Sequence, residues 1–485
     1  MFAWVALTPL IVSVTIATTN RLHASRVFGL GLLTGLVSFG GTLYWVVGVM
    51  QTFGDLPIVV AALVGLLMAS YLSIYPGIFA WLLGRSVRRF GVAGIWWAPC
   101  LWVASEWFRS NMGGGLGFPW TLLGSSQSPV IPVVQVASVV GVYGLSALVA
   151  LVATAAAAVT LSHRAGHRWS AAAVAALLLL VVAGGLLRVS REDWTREGRP
   201  LRVGLIQGSV DQEAKYDDRF RTGILERYLD LSRRAVQDGA QLVVWPEAST
   251  PFYFDADSLM AEPVRRLARE SRTPFMIGTD EFVRRTATEP DRFYNSAVLV
   301  GADGRSRASY RKMHLVPFGE YVPFASLLFF VGPLIQSVGD FSAGHDPVVF
   351  DLDGRRLSVA ICYEQVYPSI SRAFVAGGSE LLVTITNDAW FKRSSAAYQH
   401  FDQSALRAVE EGRYVVRAAN TGISGAVDPY GRVLNRTDLF VPAAVTADVR
   451  LIQARTIYSR IGDVVAWASL LVTAGVWLAS RQRPA

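Results

Sequence analysis

The sequence predicts two joined parts, a polytopic α-helical membrane bundle and an extracytoplasmic α/β domain. Three observations predict it. Of the 45 basic and 37 acidic residues, residues 1–187 hold only ten: Arg21, Arg26, Asp55, Arg85, Arg88, Arg89, Glu106, Arg109, Arg164 and Arg168. The rest of the chain is about one-quarter charged, as water-facing domains usually are. Uncharged runs of bilayer-crossing length recur in the poor region and once more near the C-terminus. Between them, short apolar strands alternate with amphipathic helices, the pattern of an α/β fold.

Taken in order, the uncharged runs are 1–20, 27–54, 56–84, 90–105, 110–162, 169–187 and 464–480. The first part of the long run, Ser110 to Pro132, is rich in Gly, Pro and Ser and reads as a loop or re-entrant piece before one helix. This gives about six spans in residues 1–187, an outer domain over 188–462, and a C-terminal helix with a short cytoplasmic tail over 463–485. The short loops on one side of the membrane receive Arg21, Arg26, Arg85, Arg88, Arg89, Arg164, Arg168, Arg481 and Arg483; the other side receives only Arg109. Arginine-rich loops stay in the cytoplasm, so the outer domain faces out. Six preceding spans would also put Met1 outside, and a further first helix, missing from this chain, is the economical expectation. A signal peptide over 1–20 is disfavoured because no basic segment precedes it.

The net charge of +8 does not point to nucleic acid, because most of the excess sits at the ends of membrane runs. Two cysteines, Cys100 and Cys362, make no disulfide framework, and one Cys with scattered His gives no zinc spacing. Of the basic residues only Lys215, Lys312 and Lys392 are lysine, so each stands out slightly.

In the outer domain the expected strands are Leu201–Gly208, Gln241–Trp245, Phe275–Gly278, Ala297–Val300, Leu357–Cys362, Leu381–Thr386 and Val415–Ala419. The expected helices are 218–238, 258–271, 366–377 and 399–412. Residues 324–335 are almost wholly apolar and read as a loop dipping toward membrane or lipid, a buried core segment being the alternative.

Three segments carry chemistry. Val243-Val-Trp-Pro-Glu-Ala-Ser249 places Glu247 after a strand, where desolvation raises a carboxyl toward the range of a useful base. Tyr310-Arg-Lys-Met-His-Leu-Val-Pro-Phe-Gly-Glu-Tyr-Val-Pro323 offers Lys312 as a fixed cation beside an oxyanion, with Glu320 to orient it or the nucleophile. Leu357-Ser-Val-Ala-Ile-Cys-Tyr-Glu-Gln-Val-Tyr-Pro368 delivers Cys362 to a turn, where a helix end and partial exposure favour thiolate. Tyr363 and Glu364 crowd polar groups around it. A papain-like arrangement would instead need a base among His314, His345 and His400.

In that order the three segments resemble the nitrilase superfamily, whose fold is an αββα sandwich with a Glu–Lys–Cys triad. Gly-Glu-Tyr-Val-Pro, Cys-Tyr-Glu, Asn387-Asp-Ala-Trp-Phe391 and Gln399-His400 resemble its membrane-embedded apolipoprotein N-acyltransferase branch. Gly117-Phe-Pro-Trp120 and Gly141-Val-Tyr-Gly-Leu-Ser146 do so in the membrane part. The resemblance implies Glu247 as general base, Lys312 as oxyanion stabiliser and Cys362 as nucleophile. Glu320, Tyr363 and Glu364 would support them, while Trp390, Glu410 and Trp120 would belong to the substrate cleft and its entrance. The family has eight spans where this chain shows seven, and Tyr216 stands where a Trp is usual.

The resemblance further implies a bacterial plasma-membrane enzyme, working as a monomer, that needs no cofactor or metal. A phospholipid would donate an acyl chain through a cysteine thioester to the amino terminus of diacylglyceryl-modified apolipoproteins. Rival expectations are a membrane-tethered nitrilase-type amidase that hydrolyses a small amide, and a polytopic scaffold or transporter. Against the last, Asp55 and Glu106 lie near span ends.

Overall fold

The structure is a computed structural model that describes residues 2–113, 115–161, 165–215, 217–284, 291–321 and 341–481. The apolar stretch 324–335 and Tyr216 lie outside them. The chain forms two compact units, Met1–Arg191 with Ile461–Ala485, and Glu192–Arg460.

In the first unit helices span Thr8–Thr19, Ala24–Thr42, Ile58–Phe90, Ala98–Asn111, Ala137–Leu161, Ala165–Arg191 and Val464–Ala479. Among the described residues five helical stretches are long and apolar enough to cross a membrane, and Val464–Ala479 is a shorter apolar helix. Leu63, Leu67, Leu179, Leu180 and Leu471 stay exposed, as lipid-facing side chains do. Helix Ala24–Thr42 lies hard against Ile58–Phe90, because Gly31 and Gly35, one turn apart, leave room for the Pro76 carbonyl and Ser73.

Residues 115–130 are mostly irregular, and two side chains of helix Ala98–Asn111 satisfy their backbone. Arg109 donates to the carbonyls of Phe118 at 2.9 Å and Trp120 at 2.7 Å, while Glu106 accepts from Leu123 N–H at 2.6 Å. Arg109 is therefore a buried clamp and not a loop charge. That corrects the single exception in the arginine bias: a side chain satisfying carbonyls inside the unit does not count toward loop charge.

Among the described residues, the second unit is built on two six-stranded sheets. Its strands are β1 Arg199–Gln207, β2 Leu242–Val244, β3 Phe275–Val283, β4 Arg292–Val300, β5 Ser306–Arg311, β6 Phe350–Leu352, β7 Arg355–Ile361, β8 Leu381–Thr386, β9 Val415–Ala419, β10 Gly425–Val427, β11 Val433–Arg436 and β12 Ala443–Leu451. One sheet runs β12-β1-β2-β3-β4-β5, the other β11-β10-β9-β8-β7-β6. The centres β1-β2-β3 and β7-β8-β9 are parallel. All six residues of β8 and all five of β9 are buried, which explains their mostly apolar sequence, with Arg417 the one charged side chain in the two strands.

Period-two alternation sorts the first sheet. Leu201, Val203, Leu205, Leu242, Val244 and Met276 face the second sheet. Ile206, Val243, Phe275 and Ile277 face helices Arg221–Gln237 and Ser258–Ser271. Helices Pro368–Ala376 and Ser395–Glu411 cover the second sheet, giving an αββα sandwich.

Candidate active site

The parallel strands of an open α/β sheet gather functional groups at their carboxyl ends, and this fold does the same. Glu247 follows β2, Lys312 follows β5, Cys362 follows β7 and Asn387 follows β8. Gly278 on β3 is required here, since a Cβ would lie 2.2 Å from the Pro246 carbonyl and 2.7 Å from Glu247 Cα.

Lys312 is the hub. Its Nζ lies 2.8 Å from Glu320 Oε1 and 3.2 Å from Glu247 Oε1, and the ammonium is 1% exposed. Asn295 Nδ2 donates to Glu247 Oε1 at 2.7 Å and to Glu320 Oε1 at 2.9 Å. Asn387 N–H donates to Glu247 Oε2 at 2.7 Å, and Val316 N–H to Glu320 Oε2 at 2.8 Å. Burial alone would strip the Lys312 proton, but Glu320 and Glu247 outweigh it and hold the amine charged. Burial likewise pushes Glu247 up, yet Lys312 and Asn295 bring it below its ordinary value. The expectation of a raised Glu247 is thus corrected: the cation beside it outweighs desolvation.

Cys362 opens a short turn, Cys362–Val366, with φ 53°, in the left-handed region. The side chain is buried, and burial followed by the charge of Glu247 pushes its thiol well up, against the pull of Lys312. The expected thiolate is corrected for the resting enzyme. The sulfur is enclosed and faces a carboxylate, so it stays protonated until a base takes the proton.

Glu364 ties the two loops together. Its Oε1 accepts from Tyr310 Oη at 2.7 Å, Met313 N–H at 2.6 Å and His314 N–H at 3.1 Å, and Oε2 accepts from Ile361 N–H at 2.8 Å. Burial raises this carboxyl to about 7. A raised carboxyl favours the folded state most below its unfolded value, and that stabilisation is lost as pH rises through 7. The stability advantage over Glu364→Gln should therefore shrink by about 2 kcal/mol between pH 5 and pH 8. Thermal melts of both proteins in detergent measure it; a gap that stays constant would mean the carboxyl keeps one charge state throughout.

Tyr363 stands edge-on to Tyr367 at 5.4 Å, and His314 lies 4.6 Å from the Tyr367 ring, making an aromatic wall beside the turn. Trp390 is half-buried in the turn Asp388–Phe391. Glu410 lies about 15 Å further along helix Ser395–Glu411 than His400, ion-paired with Arg407 at 2.9 Å. There it braces the helix. Trp120 belongs to the membrane unit, where its buried ring packs on Trp45 at 5.6 Å.

Sequence reasoning missed Asn295, the Asn387 N–H and Asp280. Asn295 left one trace, a polar residue inside the apolar strand β4. Lys215 was flagged only by the rarity of lysine; it is buried with Nζ 3.5 Å from the Glu247 carbonyl. Burial raises nearby Asp280 to about 6, against the pull of Lys215.

The αββα sandwich that gathers these groups at its strand ends is the nitrilase fold. Residues 202–458 match the carbon-nitrogen hydrolase family, and residues 1–155 match the apolipoprotein N-acyltransferase N-terminal domain. An amidase from Nesterenkonia sp. is similar at 22% identity and a TM-score of 0.40, over 53% of this chain and 93% of that one. The sequence is 39% identical to the apolipoprotein N-acyltransferase of Geobacter metallireducens, covering 96% of this chain and 88% of that one. It is 32% identical to that of Methylococcus capsulatus, covering 98% and 91%. The chain belongs to the apolipoprotein N-acyltransferase family.

Proposed function

We propose that this acyltransferase moves an acyl chain from phospholipid to the α-amino group of diacylglyceryl-modified apolipoproteins, with Glu247, Lys312 and Cys362 as its triad. The observation that carries the mechanism is the Glu247–Lys312–Glu320 cluster beside Cys362. In the first half, Sγ attacks the ester carbonyl carbon while its proton passes to Glu247. The oxyanion is held by Lys312 and a backbone N–H of the cysteine turn. Collapse breaks the ester C–O bond, and the departing lysophospholipid oxygen takes the proton from Glu247. In the second half the amine attacks the thioester, Glu247 takes an amine proton, and the departing sulfur recovers it. The product is an amide, and the chemistry closes without a redox change.

The test is product analysis with phospholipid and a diacylglyceryl peptide bearing a free amine. The amide supports the reading, whereas free fatty acid with no amide would favour the amidase. Trp390 lines the cleft in this proposal, with Glu410 bracing the helix behind. The enzyme works as a monomer in the bacterial inner membrane, with residues 188–462 outside. The arginine-rich loops support that orientation. A reporter inserted near Asp193 should be extracytoplasmic and one fused after Ala485 cytoplasmic; the same compartment for both would overturn it.

A further inference from the structure

Behind Cys362, four elements converge on one fully buried imidazole. His400, from helix Ser395–Glu411, places Nε2 3.1 Å from the carbonyl oxygen of Cys362. Its Nδ1 lies 3.0 Å from both Asp388 Oδ1 and Arg417 Nη2. Arg417 Nη2 also donates to Asp388 Oδ2 at 2.7 Å, and Thr386 Oγ1 to Asp388 Oδ1 at 2.9 Å. Arg417 further binds Gln365, a residue of the cysteine turn. His400, Asp388 and Arg417 are each 1% exposed or less.

A carbonyl oxygen only accepts, so Nε2 carries the proton. Burial and the adjacent Arg417 cation hold the ring below its ordinary value, so it is neutral and Nδ1 accepts from Arg417. The imidazole meets the nucleophile's residue through its carbonyl, an unsuitable place for a base acting on sulfur. It is well placed for something else. The peptide joining Cys362 to Tyr363 is planar and trans, so its carbonyl and its N–H point in opposite directions. Gripping the carbonyl fixes the N–H. Cys362 also holds a positive φ, an unfavourable conformation for a residue with a side chain. Such a conformation persists only where its surroundings enforce it.

We propose that His400 is a positioning residue: by holding the Cys362 carbonyl it turns the Tyr363 N–H toward the oxyanion, as the second donor beside Lys312. Arg417, itself anchored by Asp388, donates to Nδ1 and so holds the ring in the tautomer this requires. The inference rests on Cys362 being the nucleophile.

The experiment compares the full-length enzyme in detergent with His400→Leu and His400→Gln, since a glutamine amide can still donate from nearly the same position. Three quantities are read: the rate of acyl loading from phospholipid, the affinity for a long-chain aldehyde, and the alkylation rate of Cys362 by iodoacetamide. Loading and aldehyde binding both create an oxyanion; alkylation at a saturated carbon creates none. His400→Leu should lose about 100-fold in the first two, the scale of one oxyanion donor, and keep alkylation within about threefold. His400→Gln should recover most of the loss. Loading at the unmodified rate in His400→Leu overturns the proposal. So does an equal loss of alkylation, which would mean the whole turn has shifted, or a glutamine no better than leucine. An acyl adduct of the unsubstituted enzyme mapping away from Cys362 would instead remove the nucleophile assignment itself.

Discussion

Phospholipid alone, with no amine acceptor present, should add the mass of one acyl chain to the enzyme. The first half-reaction needs only the ester, the thiol and a base, and all three are available before an apolipoprotein arrives. The adduct should be a thioester, cleaved by neutral hydroxylamine and absent from Cys362→Ala. Glu247→Gln should also fail to load. The thiol is held well above its ordinary value by burial and by the Glu247 charge, so almost none of it ionises unaided. A diacylglyceryl peptide should then discharge the adduct as an amide, while water does so slowly. Intact mass spectrometry reads every stage. Amide formation by Cys362→Ala would end the covalent mechanism, and rapid hydrolysis without amide would make the enzyme an amidase.

How far the sequence anticipates this site depends on which kind of constraint made each part. Strands buried on both faces are predominantly apolar, so Leu381–Thr386 and Val415–Ala419 are legible to the residue even though Arg417 interrupts the second. β5, Ser306–Arg311, is mostly exposed and polar, and β6, β10 and β11 are three or four residues long, too short for a period to emerge. β12 does alternate, with Ala447, Val449 and Leu451 inward, but its small and polar residues mute the signal. Glu247, Lys312, Glu320 and Cys362 sit in motifs whose order carries the family resemblance. Their proton affinities do not follow from those motifs. Burial was foreseeable for Glu247, but its direction was decided by Lys312, a residue 65 positions away. The cysteine thiol went the other way for the same reason, because a strand end that looks open in sequence is enclosed by other loops. His400 was visible as one of three histidines; its orientation toward a carbonyl is a tertiary fact.

Lys312→Met should be the most damaging substitution that leaves the nucleophile and base in place. Each half-reaction passes through an oxyanion, so each should slow by about 10²–10³. Stability should fall as well, by about 3–5 kcal/mol, because Glu247 and Glu320 would be left sharing the Asn295 amide without a cation. The two losses separate. Glu320→Gln added to Lys312→Met removes one of the stranded carboxylates, so the double variant should regain much of the stability and none of the rate. Acid should also narrow the stability deficit of Lys312→Met, since a protonated carboxyl no longer repels its neighbour: Lys312 holds Glu247 below its ordinary value, and that contribution is lost as pH falls through the depressed value. Thermal melts and single-turnover acyl loading, run on the same preparations, measure both. A double variant that recovered rate along with stability would reduce Lys312 to a countercharge and leave the oxyanion to backbone donors alone.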